Sequence, residues 1–155
     1  MNIFLDTCAL FKLYHEEPFS SELKQYLQEQ DGISLIISWL AKVEFASAVW
    51  KKVRSNTGFT EEKALALLQL FENDMDNFFI VDFDKDDDTF AKRLLNRCNS
   101  NGVFLRTLDA LQLTSAMKLS DVMDKFITFD DKLESAASAE NLNVKIFVAS
   151  GGVED

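Results

Sequence analysis

The chain has 155 residues, 47% hydrophobic and 27% charged, a composition that fits one globular domain with its own core and excludes a disordered chain. Its 16 basic residues against 26 acidic ones leave a net charge of −10, which excludes a protein that coats nucleic acid through a general basic surface. The longest uncharged stretch, Gly32 to Ala41, is far short of the roughly 20 residues that span a bilayer.

Asn2 to Asp6 reads as a short buried strand, with Asp6 closing the apolar run Ile3-Phe4-Leu5. Helical patterns follow to about Gln30, with Pro18 suited to a helix start. Gly32 breaks the chain, and Ile33 to Ile37 reads as a second buried strand. Ser38 is placed as the N-cap of a long helix from Trp39 to Asn56, closed by Gly58. The hydrophobic stripe of that helix is read as Trp39, Val43, Ala46, Trp50 and Val53. Thr60 caps a further helix reaching Asp76, and Phe78 to Val81 is the third strand. Asp82 to Asp88 reads as a solvated loop and an acidic helix N-terminus, with the helix covering Lys85 to Asn101 before Gly102. Another helix runs from Arg106 to Leu119. Lys125 to Phe129 is the fourth strand, a short helix reaches Glu140, and Val144 to Val148 is the fifth strand.

Short apolar strands separated by helices indicate the α/β class, with a parallel sheet covered on both faces. The expected architecture is three-layer α/β/α around a central five-stranded parallel sheet, one domain over residues 1–148 with a flexible tail over 149–155. Cys8 and Cys98 have no metal-ligand spacing, and the N-terminus lacks the basic region of a secretory signal. Both point to reduced thiols in a cytoplasmic protein with no membrane partner.

Four acids stand next to segments that should become core: Asp6, Glu44, Asp109 and Asp130. Asp6 and Asp130 each close a strand at its carboxyl end, where open parallel sheets bind ligands. Glu44 is about two turns into its helix, at the edge of the buried face, among Leu40, Ala41, Ser47 and Ala48. Asp109 lies in the first turn of its helix, at the positive end of the dipole. Taken singly, Asp6 and Asp130 read as helix caps, Asp109 as an answer to the dipole, and Glu44 as a partner for a nearby Lys. Capping does not account for Glu44, and buried acids are costly unless their charge is offset. An all-carboxylate set without a His or Cys cluster suits a hard divalent cation. His15, the single histidine, reads as a surface residue rather than a catalytic base.

The order of these residues resembles the PIN-domain family. Ile3-Phe4-Leu5-Asp6-Thr7-Cys8-Ala9-Leu10 is similar to that family's opening strand ending in Asp then Thr or Ser, and Glu44 in Trp39-Leu40-Ala41-Lys42-Val43-Glu44 to its helical Glu. Leu108-Asp109-Ala110-Leu111-Gln112-Leu113 resembles its Asp-Ala-Leu helix start, and Phe126-Ile127-Thr128-Phe129-Asp130 its late strand ending in Thr-x-Asp. Cys8 stands where a small Ser is common, and Gln112 where His is frequent. The small size resembles the VapC-type toxin ribonucleases of toxin–antitoxin pairs. The resemblance implies a Mg²⁺- or Mn²⁺-dependent endoribonuclease acting on RNA. Asp6 and Asp109 would be the primary metal ligands, with Glu44 and Asp130 holding metal-bound waters or a second ion. Thr7 and Thr128 would orient ligands from behind, and Arg106 is a candidate phosphate contact or a structural pair. A homodimer silenced by a small antitoxin protein is also implied. A groove lined by Trp39, Phe45, Trp50 and Phe59 is a candidate seat for a partner helix or strand, ordinary core being the other reading of those rings.

Two other readings are set beside this one. A phosphotransferase using Asp6 as nucleophile would want a second acid two residues on, where Cys8 stands. A non-catalytic PIN-like module that binds RNA or protein would have no reason to bear the mutual repulsion of four acids.

Overall fold

A computed structural model describes residues 1–55 and 58–148. Among the described residues, four parallel strands form one sheet in the order β3-β2-β1-β4: β1 (Asn2–Leu5), β2 (Ser34–Ser38), β3 (Phe78–Val81) and β4 (Lys125–Ile127). Seven α-helices connect and flank them among the described residues: α1 (Thr7–Tyr14), α2 (Ser20–Gln28), α3 (Leu40–Arg54), α4 (Glu61–Asn73), α5 (Asp87–Ser100), α6 (Thr107–Met117) and α7 (Asp131–Ala139).

Alternation along each strand divides the core in two. Ile3, Leu5, Ile37 and Ile127 face α1 to α4, where they pack with Leu10, Leu23, Phe45 and Phe71. Phe4, Ile36, Val81 and Phe126 face α5 to α7, where they meet Leu94, Leu113 and Ala136. Inner strands buried on both faces, with helices on each side, give the three-layer arrangement, while the edge strand β3 leaves Phe79 58% exposed. Phe4 stacks on Phe126 across adjacent strands, with ring centroids 5.6 Å apart. Phe45 stacks on Phe71 at 4.0 Å and joins α3 to α4.

The expected fifth strand is not formed. Val144 makes a single parallel bridge to Phe126, flanked by hydrogen bonds from Phe126 N to Asn143 O and from Lys145 N to Phe126 O. β4 is only three residues long, because Thr128 leaves the sheet to serve the site described below, so an edge partner finds one pairing position. Phe147 instead stacks on Phe129 and meets Tyr26 edge-on. The tail expected over residues 149–155, and Asn56 at the expected end of the long helix, lie outside the described residues.

Other expectations shift in detail. Ser38 ends β2 and caps nothing; α3 begins at Leu40 without a side-chain cap. The buried face of α3 is Leu40, Ala41, Phe45 and Val49, while Val43, assigned to the stripe, is 65% exposed. Phe45 is wholly buried, so the groove proposed from the aromatic residues is closed by core: Trp50 and Phe59 pack half-buried against the same cluster, and Trp39 meets Phe83 edge-on. The acidic stretch before α5 is not wholly solvated. Asp87 is buried and accepts from Lys118 Nζ at 2.9 Å. Thr60 does cap α4, accepting from Lys63 N, and Gly102 takes the positive φ of 76° that ends α5.

Candidate active site

The parallel register places the ends of β1 and β4 side by side, with Leu5 opposite Ile127. The next residue on each strand therefore enters one crevice at the carboxyl edge of the sheet. Asp6 is that residue on β1. It is 4% exposed and caps α1, its Oδ1 accepting from Ala9 N at 2.8 Å. Thr128 is its counterpart on β4, and its hydroxyl donates to Asp6 Oδ2 at 2.6 Å. The Cys8 thiol lies 3.1 Å from both Asp6 oxygens. Burial pushes the Asp6 carboxyl up from 3.8 to about 6; these three donors oppose that rise and the charge of Glu44 adds to it. Burial and the Asp6 charge push the Cys8 thiol well above its ordinary value, so it acts as a neutral donor and not as a nucleophile.

Two residues on, Asp130 caps α7. Its Oδ1 accepts from Lys132 N at 2.9 Å and Leu133 N at 3.0 Å, and its backbone N donates to Thr128 Oγ1. Capping thus occupies one carboxylate oxygen, and Oδ2 stands 3.7 Å from Arg106 Nη2. Arg106 also donates through Nε to Asp109 Oδ2 at 3.0 Å. One guanidinium, 79% exposed, therefore bridges the acids at the starts of α6 and α7. The hydrogen bond to Asp109, and the charges of Asp109, Asp130 and Glu44, hold Arg106 above its ordinary pKa.

Glu44 comes from the opposite wall, in the second turn of α3 and half-buried. Its Oε2 accepts from Thr7 Oγ1 at 2.7 Å and from Gln112 Nε2 at 2.5 Å. Gln112 Nε2 also donates to Thr7 Oγ1, and Gln112 Oε1 accepts from Ser38 Oγ at 2.8 Å. All four acids line one cleft of about 700 Å³, together with Thr7, Arg106, Gln112, Lys51 and Lys52. Thr128 stands behind Asp6 rather than on the cleft wall, and His15 lies outside it, against Phe11 and Phe59.

The sequence reading missed three contributors: the Cys8 thiol as a donor to Asp6, the Ser38–Gln112 pair, and the cationic wall of Lys51 and Lys52. Ser38 left a signal, since a polar residue closing an apolar strand points into the same crevice as Asp6. Gln112 left another, one turn beyond Asp109 on α6.

A PIN-domain family model matches residues 3–139 of this chain. The chain belongs to the PIN-domain family. This PIN domain is 31% identical over 143 residues to Ribonuclease VapC46 of Mycobacterium tuberculosis, spanning 92% of this chain and 95% of that protein, and it is of the VapC type. Among solved structures, VapBC2 from Rickettsia felis, bound to a DNA fragment from its promoter, superposes with a TM-score of 0.66 at 17% identity, covering 94% of this chain and 98% of that one. FitAcB from Neisseria gonorrhoeae gives 0.68 at 17% identity over 92% and 95% of the two chains. The Mycobacterium tuberculosis sarcin-ricin loop cleaving toxin VapC20 gives 0.63 at 16% identity over 86% and 94%. At these identities the likeness is one of PIN fold alone.

Proposed function

We propose that this PIN domain is a metal-dependent endoribonuclease, the toxin of a toxin–antitoxin pair, hydrolysing RNA phosphodiester bonds in the four-carboxylate cleft. The observation that carries the reading is Asp6: a buried acid lifted to about 6, with three neutral donors and no cationic partner among the described residues, opening onto a cleft with three more acids. Such a group is left short of positive charge, and a hard cation with oxygen ligands supplies it. The donor set fits Mg²⁺ or Mn²⁺ in chemistry. Among the described residues, no three acid, His or Cys side chains already stand as ligands around one point. Asp109 and Asp130 are meanwhile drawn to Arg106.

Asp6 and Asp109 would hold the ion, with Glu44 and Asp130 beside them. Bound there, a divalent ion supplies an acidified water and charge stabilisation at the scissile phosphate. The protein's own groups do the rest. Thr128, Ala9 N and Cys8 fix the Asp6 carboxylate. Thr7 and Gln112 fix Glu44. Arg106 neutralises Asp109 and Asp130 and is exposed enough to turn toward a phosphate. A homodimer, an antitoxin protein that silences the site and a cytoplasmic location complete the reading. Of these, the antitoxin partner is supported by solved structures of similar fold that are toxin–antitoxin complexes.

The test is cleavage of RNA with Mg²⁺ or Mn²⁺ by wild type and Asp6→Asn. Wild type is expected to cleave, chelation to stop it, and Asp6→Asn to lose at least 100-fold, the scale on which a lost charge-stabilising group acts. Equal rates in the two proteins overturn the assignment. A non-catalytic PIN-like module binding RNA or protein is the second reading, favoured by the Arg106 bridge in place of a preformed ligand cluster. RNA binding by wild type without cleavage under any divalent ion would decide for it.

A further inference from the structure

We propose that Gln112 is a positioning residue for Glu44: its amide, locked from behind by Ser38, pins one carboxylate oxygen of Glu44 and leaves the other turned to the cleft. The inference rests on the proposed metal-dependent cleavage for its catalytic meaning, but its geometry stands independently.

Gln112 is 2% exposed on α6, and every polar atom of its side chain is used. The Nε2 group has two hydrogens. One reaches Thr7 Oγ1 at 2.7 Å and the other Glu44 Oε2. Thr7 Oγ1 in turn gives its own hydrogen to the same Glu44 Oε2 at 2.7 Å. Three atoms from α1, α3 and α6 thus close a triangle in which each hydrogen has one acceptor. The triangle has only one sense. Glu44 Oε2 accepts and cannot donate, so the amide must present its NH₂ to it. Gln112 Oε1 is then forced toward β2, where Ser38, wholly buried, donates at 2.8 Å. A flipped amide would set oxygen against carboxylate oxygen and leave Ser38 facing an NH₂ group.

The consequence concerns Glu44. Asp109 and Asp130 are held by a cation and Asp6 by an N-cap, but Glu44 is in the second turn of a helix, where neither backbone N–H groups nor a dipole end can hold it. Neutral donors do so instead. They fix the carboxylate without neutralising it, and Oε1 receives no hydrogen bond among the described residues. A side chain held this way keeps its charge and its direction for what enters the cleft, which a Lys or Arg partner would not allow. Ser38 extends the support into the sheet, so the rigid end of β2 sets the angle of an acid on α3.

The experiment compares Gln112→Leu, Gln112→His and Ser38→Ala with wild type. His keeps one ring N–H to donate; Leu keeps none. Mn²⁺ affinity by calorimetry is expected to fall about 10-fold or more in Gln112→Leu, the range seen when an outer partner of a ligand is removed, and to recover partly in Gln112→His. Cleavage should lose kcat with KM for RNA little changed, since Gln112 is 2% exposed and its polar atoms are already spent on Glu44, Thr7 and Ser38. In a Glu44→Gln background the Leu substitution should have no further effect on Mn²⁺ affinity, because the two act as one unit. A crystal structure of Gln112→Leu should show the Glu44 carboxylate swung from its wild-type direction. An unmoved Glu44 with wild-type Mn²⁺ affinity overturns the clamp, whether or not the protein cleaves RNA. Failure of wild type to cleave, with Glu44 still displaced in the variant, sinks the nuclease reading and spares the clamp.

Discussion

Asp6 combines two roles that oppose each other energetically. As an N-cap it accepts from Ala9 N and steadies α1, which favours its ionised form; as a residue at 4% exposure it is penalised for that charge. The balance falls on burial, and the carboxyl stands at about 6. The gap from 3.8 corresponds to about 3 kcal/mol. Below pH 3.8 the group is protonated in both the folded and the unfolded chain, so nothing is lost. Between 3.8 and about 6 the unfolded chain has released the proton while the folded one keeps it, and stability falls with rising pH. Above about 6 the full penalty stands. Asp6→Asn retains a good cap and removes the charge. Melting in the presence of EDTA should therefore show the variant more stable than wild type at pH 7.5, by up to about 3 kcal/mol, with the gap closing toward pH 4. Added Mn²⁺ should raise the wild-type melting temperature by mass action and leave the variant unmoved. A gap that stays constant from pH 4 to 8 contradicts the burial argument.

The elements were legible wherever local chemistry decides them. The Thr60 cap, the Gly102 stop and the apolar runs of β1 to β4 all follow from side chains within one turn or strand. What was not legible depended on tertiary choice. In α3, Trp39, Val43, Ala46, Trp50 and Val53 recur at helical spacing as well as Ala41, Phe45 and Val49 do. Packing against Phe71, Phe11 and Tyr14 selects the second set, and period alone could not. The fifth strand failed for a comparable reason: Phe147 was taken up by Phe129 and Tyr26, Ile146 and Val148 stayed exposed, and only Val144 bridges to the sheet. Of the candidate cleft, the four acids that line it were readable because each sits where local structure makes a carboxylate expensive or directed. The Gln112 triangle was not, because it joins three helices far apart in sequence. Asp87 is the same lesson in structural form: an acid in a visibly acidic run, yet buried and held by Lys118, which also donates to Asp82 O at 2.9 Å. That pair ties the entry of α5 to the end of α6. Lys118→Met should cost about 2 kcal/mol, below the usual figure for stranding a buried charge because Lys118 is 31% exposed. Adding Asp87→Asn should recover part of the loss in denaturant melts. RNA cleavage should be unchanged, since neither residue lines the cleft.

At the scale of the molecule, a net charge of −10 and the RNA substrate proposed above pull against each other. With 26 acidic residues against 16 basic ones, the net field repels RNA, so attraction must be local. The cleft offers three cations, Lys51, Lys52 and Arg106. Lys52 is engaged by Glu17 at 2.5 Å, and Arg106 by two acids of the site. Few phosphates can then be neutralised at once, and each contact to single-stranded RNA contributes about 0.7 to the slope of log affinity against log salt. The catalytically disabled Asp6→Asn variant, at fixed Mg²⁺, should show a slope of about −1 to −2, with Lys51→Ala making it shallower by about one contact. A slope near −5 would mean that a larger basic surface does the binding, and the cleft would then be only the place of chemistry. A shallow slope has a further consequence: with so little general attraction, the choice of RNA must rest on its shape and on contacts inside the cleft.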